Sequence, residues 1–184
     1  DLVSQPFGDW IEIANLDATA GQTRNGDIHV ETDGTAHLLW CETSTDTRLR
    51  DRFFPDETVI QRLKYLRLRH GKKIQERTLA DLHEGQDGLR PDLARFHILP
   101  DGTLLVLAAF SATEPSDNPR IYRLAVVGDE APEWIDIPFG RPLPGTFLTN
   151  TVRGGSAPSV HIDLVGMDPL KPHTFSYARV RIRS

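Results

Sequence analysis

The segment His29-Val-Glu-Thr-Asp-Gly34-Thr, followed by the apolar run Ala-His-Leu-Leu-Trp40, is the first of three versions of one unit. Each version runs strand, glycine turn, strand, connector and a third strand with a central tyrosine. The turn glycines are Gly34, Gly102 and Gly155, which lie 68 and 53 residues apart, and the tyrosines are Tyr65, Tyr122 and Tyr177. Repeats of this length that consist of short strands predict a β-propeller.

A fourth strand follows the first two units, as Lys73-Ile-Gln-Glu-Arg-Thr-Leu79 and Trp134-Ile-Asp-Ile137. A propeller blade has four antiparallel strands, a to d from the axis outward. The sequence therefore predicts an all-β chain of about three four-stranded blades, at about residues 25–80, 90–138 and 144–184. The third blade lacks strand d. Because Trp10-Ile-Glu-Ile13 matches 134–137, the N-terminal strand 9–14 is expected to complete this blade beside the Tyr177 strand, of the same chain or of a partner.

The number of blades bears on the expected partners. Known rings have about 4–8 blades, so three blades do not close one. Two chains could form a ring of six blades, or the chain could be the C-terminal part of a larger propeller. Self-association or the remainder of a larger propeller is therefore an expected partner, and both alternatives stay open at this point.

The turns and the one helical signal give local expectations. Asp33-Gly34 between apolar runs indicates a two-residue type I′ hairpin turn. This turn would set His29 opposite Leu38, so the imidazoles of His29 and His37 would point to opposite faces, which argues against a zinc pair. A short helix is expected at Pro55-Asp-Glu-Thr-Val-Ile-Gln-Arg62, because proline and acidic residues favour a helix start.

Composition excludes several classes of protein. The chain has 184 residues and a net charge of −5, which argues against a nucleic-acid partner. It has a single cysteine, Cys41, so neither an internal disulfide nor a cysteine-based metal site is expected. No apolar run approaches the ~18 residues of a membrane-spanning helix. No phosphate loop or metalloprotease motif is present, and neither a cofactor nor a metal is expected.

The stretch Tyr65-Leu-Arg-Leu-Arg-His-Gly71-Lys-Lys-Ile resembles the strand and turn of a BNR (Asp-box) repeat of sialidase-like β-propellers. That motif runs roughly Ser-x-Asp-x-Gly-x-Thr-Trp after a tyrosine-containing strand. Here Gly71 is kept, whereas the Asp and the Trp are absent. The resemblance implies the propeller fold and a glycan-related function. The location of the protein stays open at this point, with an extracellular or periplasmic one favoured. It implies no catalytic residue, because the Asp-box is a structural turn remote from the active site.

Candidate ligand contacts lie in the loops at the d–a and b–c connections, which is where propeller ligands usually bind. Arg24 and Asp27 precede the first inner strand, and Arg90 and Asp92 precede the second. Such arginines could hold a carboxylate or a sulfate through two parallel hydrogen bonds. The alternative is that each arginine pairs with its neighbouring aspartate and ties the loop.

The repeat also places His29, His97 and Asn150 at equivalent positions, five residues before each turn glycine. Imidazoles near an axis could perform acid–base chemistry. The alternative is a packing position in which each histidine bonds to the neighbouring blade, and the repetition favours this alternative.

The b–c insertion of the first unit, residues 43–62, carries Arg48, Arg50 and Arg52 before Phe53-Phe54. An aromatic and basic loop would suit an acidic sugar, or it could form a dimer contact. Three functions therefore stay open. They are a carbohydrate-binding propeller for acidic or polyhydroxylated saccharides, a sialidase-like hydrolase or polysaccharide lyase, and a non-catalytic scaffold segment of a larger propeller.

Overall fold

A computed structural model describes residues 11–113, 120–139, 147–149, 157–168 and 171–183. These residues form three antiparallel sheets, with one α-helix and one 3-10 turn among them. The chain is therefore all-β, as the sequence predicted. No helix within these ranges is long and apolar enough to cross a membrane.

The first sheet is an up-and-down meander in which each strand pairs with the next one along the chain. Its strands are β1 (Gln22–Val30), β2 (Ala36–Thr43), β3 (Ile60–Arg69) and β4 (Lys72–His83), and it lies in the order β1-β2-β3-β4. The 3-10 turn Asp17–Thr19 precedes β1, and the helix α1 (Thr47–Phe53) lies between β2 and β3.

The second sheet repeats this order, and the third has three strands among the described residues. The second contains β5 (Leu89–Ile98), β6 (Leu104–Ala112), β7 (Arg120–Val126) and β8 (Ile135–Asp136). The third contains β9 (Phe147–Thr149), β10 (His161–Asp168) and β11 (Lys171–Arg181), in the order β11-β10-β9. Gly155 and Asn150, which the sequence placed in the third unit, lie outside the described residues.

The three sheets stack face to face, and the core consists of two apolar layers. The layer between the first and second sheets includes Leu39, Leu63 and Tyr65 on one side and Phe96 and Val106 on the other. The layer between the second and third sheets joins residues of β6 and β7 to residues of β10 and β11, namely Leu107, Ala109, Tyr122, Ile162, Leu164, Ala178 and Val180. The second sheet is therefore buried on both faces, which explains the continuous apolar run of β6.

The third-strand tyrosines all point in the same direction along the stack of sheets. Tyr65 points toward the second sheet and Tyr122 toward the third, and both are fully buried. Tyr177 lies on the face of the third sheet that is turned away from the second, and it is exposed. The repeat thus continues in the orientation of the side chains as well as in the strand order.

The hairpin turn at Gly34 differs from the predicted two-residue type I′ turn. The backbone N–H of Glu31 donates to Thr35, and the N–H of Gly34 donates to Glu31, so the loop has three residues. Gly34 has a φ of +82°, whereas Asp33 does not have a positive φ. The extra residue shifts the register by one, so that His29 lies opposite His37 on the same face. The prediction that these imidazoles point to opposite faces was therefore wrong.

Gly102 lies in a turn of the same geometry. The N–H of Leu99 donates to Thr103, the N–H of Gly102 donates to Leu99, and Gly102 has a φ of +87°. In both turns the aspartate before the glycine accepts a hydrogen bond from the threonine N–H after it, at 2.8 Å from Asp33 and 2.9 Å from Asp101. The two-residue turn with positive φ at both positions is found instead between β3 and β4, at His70 (+48°) and Gly71 (+72°).

The helix lies earlier in the chain than the sequence predicted. α1 begins after Asp46, whose carboxylate caps it by accepting the N–H of Arg48 at 2.9 Å. The predicted helix at 55–62 was wrong, because β3 already begins at Ile60 and pairs with the end of β4. The proline signal was therefore misleading, and the aspartate N-cap was the correct start signal.

The N-terminal segment contacts the first sheet. Residues 11–16 form no strand. The side chain of Ile11 lies against Gly71, and the carbonyl oxygen of Ile13 accepts a hydrogen bond from Lys73 Nζ at 3.2 Å. These residues therefore lie beside the β3–β4 hairpin and not beside Tyr177 of the same chain. Asp9 and Trp10, the first two residues of the expected strand 9–14, lie outside the described residues.

Candidate functional site

The strands of each sheet end in loops on two opposite sides, which differ in character and which we call the lower and the upper edge. The lower edge carries the hairpin turns with Gly34, Gly71 and Gly102. At the opposite, upper edge, β1 begins, β4 ends at His83 and β5 begins at Leu89. The connection between β2 and β3, with α1, emerges at this upper edge as well. Most of the arginines that the sequence singled out lie there.

A pocket of about 240 Å³ opens at the upper edge between the first two sheets. It is lined by the N-terminal residue of α1, the β3 start, the loop after β4 and the adjoining ends of β5 and β6. The lining residues are Thr47, Val59, Gln61, Leu82, His83, Glu84, Gly85, Gln86, Arg90 and Thr113. We call it the upper pocket.

Arg90 is the cation of the upper pocket. Its side chain is exposed and makes no ion pair or hydrogen bond with any other residue of the described ranges. Two neutral polar side chains lie beside it. Thr113 Oγ1 contacts Gly88, and the carbonyl oxygen Oε1 of Gln61 is buried with no hydrogen-bond partner among the described residues. The pocket therefore combines a cation without a counter-charge and an unused acceptor.

Ion pairs hold α1 over the pocket. Arg50 donates to Glu84 Oε1, and it also lies 3.0 Å from Asp51. The other carboxylate oxygen of Glu84 accepts the backbone N–H of Val59 at 3.3 Å. Arg50 and Glu84 thereby tie the helix to the end of β4, and the charge of Glu84, which lines the pocket, is compensated by Arg50.

The other two arginines of the helix point elsewhere. Arg48 forms a two-bond contact with its own N-cap residue, and its hydrogen bonds lower the pKa of Asp46 to about 2. Arg52 lies over the ring of Phe53, 5.0 Å from the centroid. Phe53 itself is exposed. None of the three arginines in the insertion is therefore among the residues that line the upper pocket, and Arg50 is bound to one that is, Glu84.

Arg24 and Asp92 form an ion pair that crosses from the first sheet to the second. Arg24 Nη1 lies 3.1 Å from Asp92 Oδ1, and Arg120 Nη2 lies 2.8 Å from the other carboxylate oxygen. Asp92 is 12% exposed in its side chain. One carboxylate thus compensates two guanidinium groups. One of the two interpretations of the sequence paired Arg24 with its neighbouring aspartate, whereas its observed partner belongs to the next repeat.

Asp27 joins the same two sheets nearer their middle. Its Oδ2 accepts the backbone N–H of Phe96 at 3.1 Å, while its Oδ1 accepts the N–H of Ile28 at 2.9 Å. Arg95 donates in the opposite direction, to the carbonyl oxygen of Gly26. Asp27 therefore ties β1 to β5 and does not line the upper pocket.

His29 and His37 lie side by side on the face of the first sheet that meets the second, with ring centroids 5.9 Å apart. His37 is buried, with Nδ1 2.8 Å from the Tyr65 hydroxyl and Nε2 3.1 Å from Glu31. Burial lowers the pKa of His37, although Glu31 opposes the effect. The described residues contain no cluster of three metal-ligating side chains.

His97 occupies the matching place between the second and third sheets. It is buried, and its Nε2 donates to the carbonyl oxygen of Ser159 at 2.7 Å. Burial lowers the pKa of His97. His97 lies seven positions from Arg90 along β5, or roughly 23 Å at the rise of an extended strand. The two histidines that the sequence singled out are therefore remote from the upper pocket, and Asn150 lies outside the described residues.

Several residues of this region were missed by the sequence reasoning. Arg120 shares Asp92 with Arg24, and His83, Gln61 and Thr113 line the upper pocket. Their positions at strand ends beside the d–a and b–c loops are the only signal that could have indicated them.

No protein-family model matches the chain. No curated protein matches it either. Among solved structures, the chain is similar to the crystal structure of an endo-arabinase from Bacteroides thetaiotaomicron VPI-5482, with 16% identity and a TM-score of 0.49. The match covers 88% of this chain and 56% of the endo-arabinase, so the chain spans little more than half of that protein's length. Nothing about the chemistry of the upper pocket follows from a similarity of this size.

Proposed function

We propose that the three sheets are blades of a β-propeller and that the upper pocket binds an acidic saccharide. The observation that carries the proposal is Arg90, a cation that has no ion-pair partner within the part of the chain that the structure describes and that lies in a pocket between two sheets. We also propose that the chain is related to the sialidase-like propellers with BNR repeats. This part of the proposal rests only on the repeat pattern and on the stretch from Tyr65 to Gly71.

The arrangement of the sheets supports the propeller. Two four-stranded meanders and a third sheet follow one another along the chain, and each packs its face on the next. β1 and β5, the first strands of their sheets, lie close to each other and are joined by Arg24, Asp27 and Arg95. In a propeller the first strand of each blade lies nearest the axis. The upper pocket then lies on the face where b–c and d–a connections emerge.

The charges near the pocket favour an anionic ligand. The chain as a whole has a net charge of −5, yet Arg90 has no ion-pair partner among the described residues, and Asp92 is shared by Arg24 and Arg120. An arginine can hold a carboxylate through two parallel hydrogen bonds, which a lysine cannot reproduce. A uronate carboxylate or a sulfate ester offers the required acceptor pair.

The neutral groups and the size of the pocket favour a sugar. Thr47 and Thr113 offer hydroxyl groups and Gln61 an amide, which are the groups that bind sugar hydroxyls. The volume of about 240 Å³ is smaller than the roughly 300–1,000 Å³ of pockets for drug-sized molecules. The pocket therefore suits a single sugar unit, and the rest of an oligosaccharide would extend over the upper edge.

Calorimetric titration with uronate-containing and neutral oligosaccharides tests the proposal. We expect the uronate series to bind and the neutral series to bind more weakly. Because a hydrogen bond to a charged group contributes about 1.5–3 kcal/mol, Arg90→Ala should weaken uronate binding by roughly tenfold or more. Arg90→Lys should recover only part of this loss, because lysine keeps the charge without the paired geometry.

Arg183→Ala is the matched control. Arg183 is likewise exposed and without a partner among the described residues, but it lies beyond the end of β11 at the lower edge. Its substitution should leave binding unchanged. Equal effects of Arg90→Ala and Arg183→Ala would show that only net charge matters, and no uronate binding by the parent protein would refute the proposal.

A further inference from the structure

Among the sheets that the structure describes, the first and the third each have one face on which no other sheet packs. On the third sheet this face carries Phe175, which is 71% exposed, and Tyr177, which is 64% exposed, with Val165 beside them. Tyr177 donates to Asp163 at 2.6 Å, and Arg179 binds the same carboxylate. We call this surface the tyrosine face. It has the orientation of the faces with which Tyr65 and Tyr122 meet the following sheet.

The open face of the first sheet has a hollow at the position where, on the second sheet, a side chain packs against a tyrosine of the preceding sheet. On the second sheet, Phe96 receives Tyr65 of the first sheet edge-on, with ring centroids 6.5 Å apart. The residue of the first sheet at the same distance from its turn glycine is Ile28, which is paired with Leu38 as Phe96 is with Val106. Ile28 is 41% exposed.

A cavity of about 360 Å³ lies at this equivalent position. Its lining comprises Ile13, Asn25, Gly26, Asp27, Ile28, Leu38, Leu39 and Trp40. Ile28 and Leu38 occupy the repeat positions of Phe96 and Val106, both of which pack under the first sheet in the layer between the sheets. The rest of this face is covered, since Trp40 and Leu66 are buried. We call this surface the receiving face.

We propose that the tyrosine face of one copy of this chain packs on the receiving face of a second copy. The contact would continue the stacking already present twice within the chain, with Tyr177 and Phe175 in the place that Tyr65 has against Phe96. Because the two faces differ, the contact is head-to-tail, and two such contacts close a ring of two chains. The ring would hold six sheets, which lies within the roughly 4–8 blades that known propellers contain.

The occupant is a second copy because the chain itself supplies both halves of the contact. The receiving face has a hollow with the apolar side chains of Ile28 and Leu38 at the strand that meets the preceding tyrosine in the repeat. The tyrosine face has two exposed aromatic rings at the strand that supplies it. Aromatic rings bury roughly 150–250 Å² each and contribute strongly to interfaces. The proposal concerns association and does not depend on saccharide binding at the upper pocket.

Multi-angle light scattering and sedimentation of the 184-residue chain test the proposal. We expect a species of twice 20.6 kDa that dissociates on dilution. Phe175→Asp and Ile28→Lys should each give a monomer, because each places a charge in an apolar contact. Val126→Lys, which alters an exposed apolar residue outside both faces, should leave the dimer intact.

Mixing separates a head-to-tail contact from a symmetric one. A dimer of one Phe175→Asp chain and one Ile28→Lys chain keeps one unaltered contact and places opposite charges in the other. The mixture should therefore regain the dimer mass that each variant has lost. A parent chain that stays monomeric overturns the proposal, and so does an Ile28→Lys variant that remains dimeric.

The fold of each variant is checked by circular dichroism. Both altered side chains are partly exposed, so the fold should persist. If Phe175→Asp unfolds, Tyr177→Ser provides the same test, because this change also removes a ring from the tyrosine face. Loss of the dimer in Val126→Lys as well would place the contact elsewhere and overturn the proposal.

Discussion

Arg24 of the first sheet forms its ion pair with Asp92 of the second, and each of the two residues stands ten positions before the turn glycine of its own repeat. One position of the repeat thus carries a cation in one sheet and an anion in the next. Because the sheets stack in chain order, the two equivalent positions meet. Because this position of the repeat is an arginine in one sheet and an aspartate in the next, it forms an ion pair between the two sheets.

Asp92→Asn should destabilise the fold more than Arg24→Ala. Asp92 is mostly buried and serves two arginines, so Asp92→Asn removes a charged partner from both at once, and we expect a cost of about 1–3 kcal/mol. The Arg24 side chain is 63% exposed, and its removal should cost less than about 1 kcal/mol. Urea unfolding of both variants measures the difference. Equal losses would mean that Asp92 acts through Arg24 alone.

The strand order could be predicted from the sequence, whereas the register could not. Turn glycines and apolar runs located the sheets, because a chain that alternates such runs with Asp-Gly has few other solutions. Asp-Gly is compatible with both a two-residue and a three-residue loop, and the choice decides which face His29 occupies. Similarly, the proline at 55 and the aspartate at 46 both signal a helix start, and only the long β3–β4 pairing excludes the first.

The site was harder to predict than the fold, because it depends on which residues of different repeats meet. The sequence singled out Arg24 and Arg90 for the same reason, yet the structure pairs one with Asp92 and leaves the other without a partner among the described residues. Neither spacing nor composition distinguishes the two. Which residues pair depends on how far one sheet is shifted relative to the next. This shift depends on contacts between repeats and not on the residues of any single repeat.

Gly34→Ala and Gly102→Ala should each lower the free energy of unfolding by about 1–2 kcal/mol. Both glycines have a φ above +80°, which costs an L-residue roughly this amount, while a methyl group would meet nothing within 4 Å. The loss is therefore one of backbone conformation alone. Gly128→Ala is the control, because that site is equally open and lacks a positive φ. A comparable loss at Gly128 would contradict the explanation.

The stability of the protein should fall as the pH falls below about 6.5, partly because of His37 and His97. Burial lowers the pKa of both imidazoles in the folded chain, so the unfolded chain binds protons that the folded chain does not. Their contribution is complete above the unfolded pKa and is lost as the pH falls through the lowered one. Each histidine can add a slope of at most about 1.4 kcal/mol per pH unit, in the range between its lowered pKa and its pKa in the unfolded chain.

This effect can be measured by comparing the melting temperatures of His97→Gln and of the parent between about pH 5 and 8. This range of roughly three pH units brackets the ordinary pKa of histidine. His97→Gln keeps a donor for the Ser159 carbonyl oxygen and removes the titration, so its melting temperature should vary less with pH. His173→Gln alters an exposed histidine and should follow the parent. Parallel curves for all three proteins would exclude His97 as a source of the pH dependence.

Cys41 should be unreactive toward thiol reagents in the folded protein. It is buried in the layer between the first two sheets, and burial raises the pKa of its thiol to about 11. The thiolate is the reactive form, so both access and ionisation limit the reaction. Labelling at mildly alkaline pH should follow global unfolding, and urea should raise its rate in parallel with the unfolded fraction. Rapid labelling in the absence of urea would show that the layer opens locally.

Gln61→Leu should stabilise the ligand-free protein and weaken saccharide binding. The carbonyl oxygen of Gln61 is buried without a partner among the described residues, and an unsatisfied acceptor costs about 1–3 kcal/mol, which a leucine of similar size avoids. The same change removes an amide from the upper pocket. Gln75→Leu is the control, since its oxygen is also buried without a described partner but its amide nitrogen contacts Asp129, away from the pocket. Unfolding in urea and titration with uronate oligosaccharides give the two readouts. Loss of binding in Gln75→Leu, or unchanged binding in Gln61→Leu, would remove Gln61 from the site.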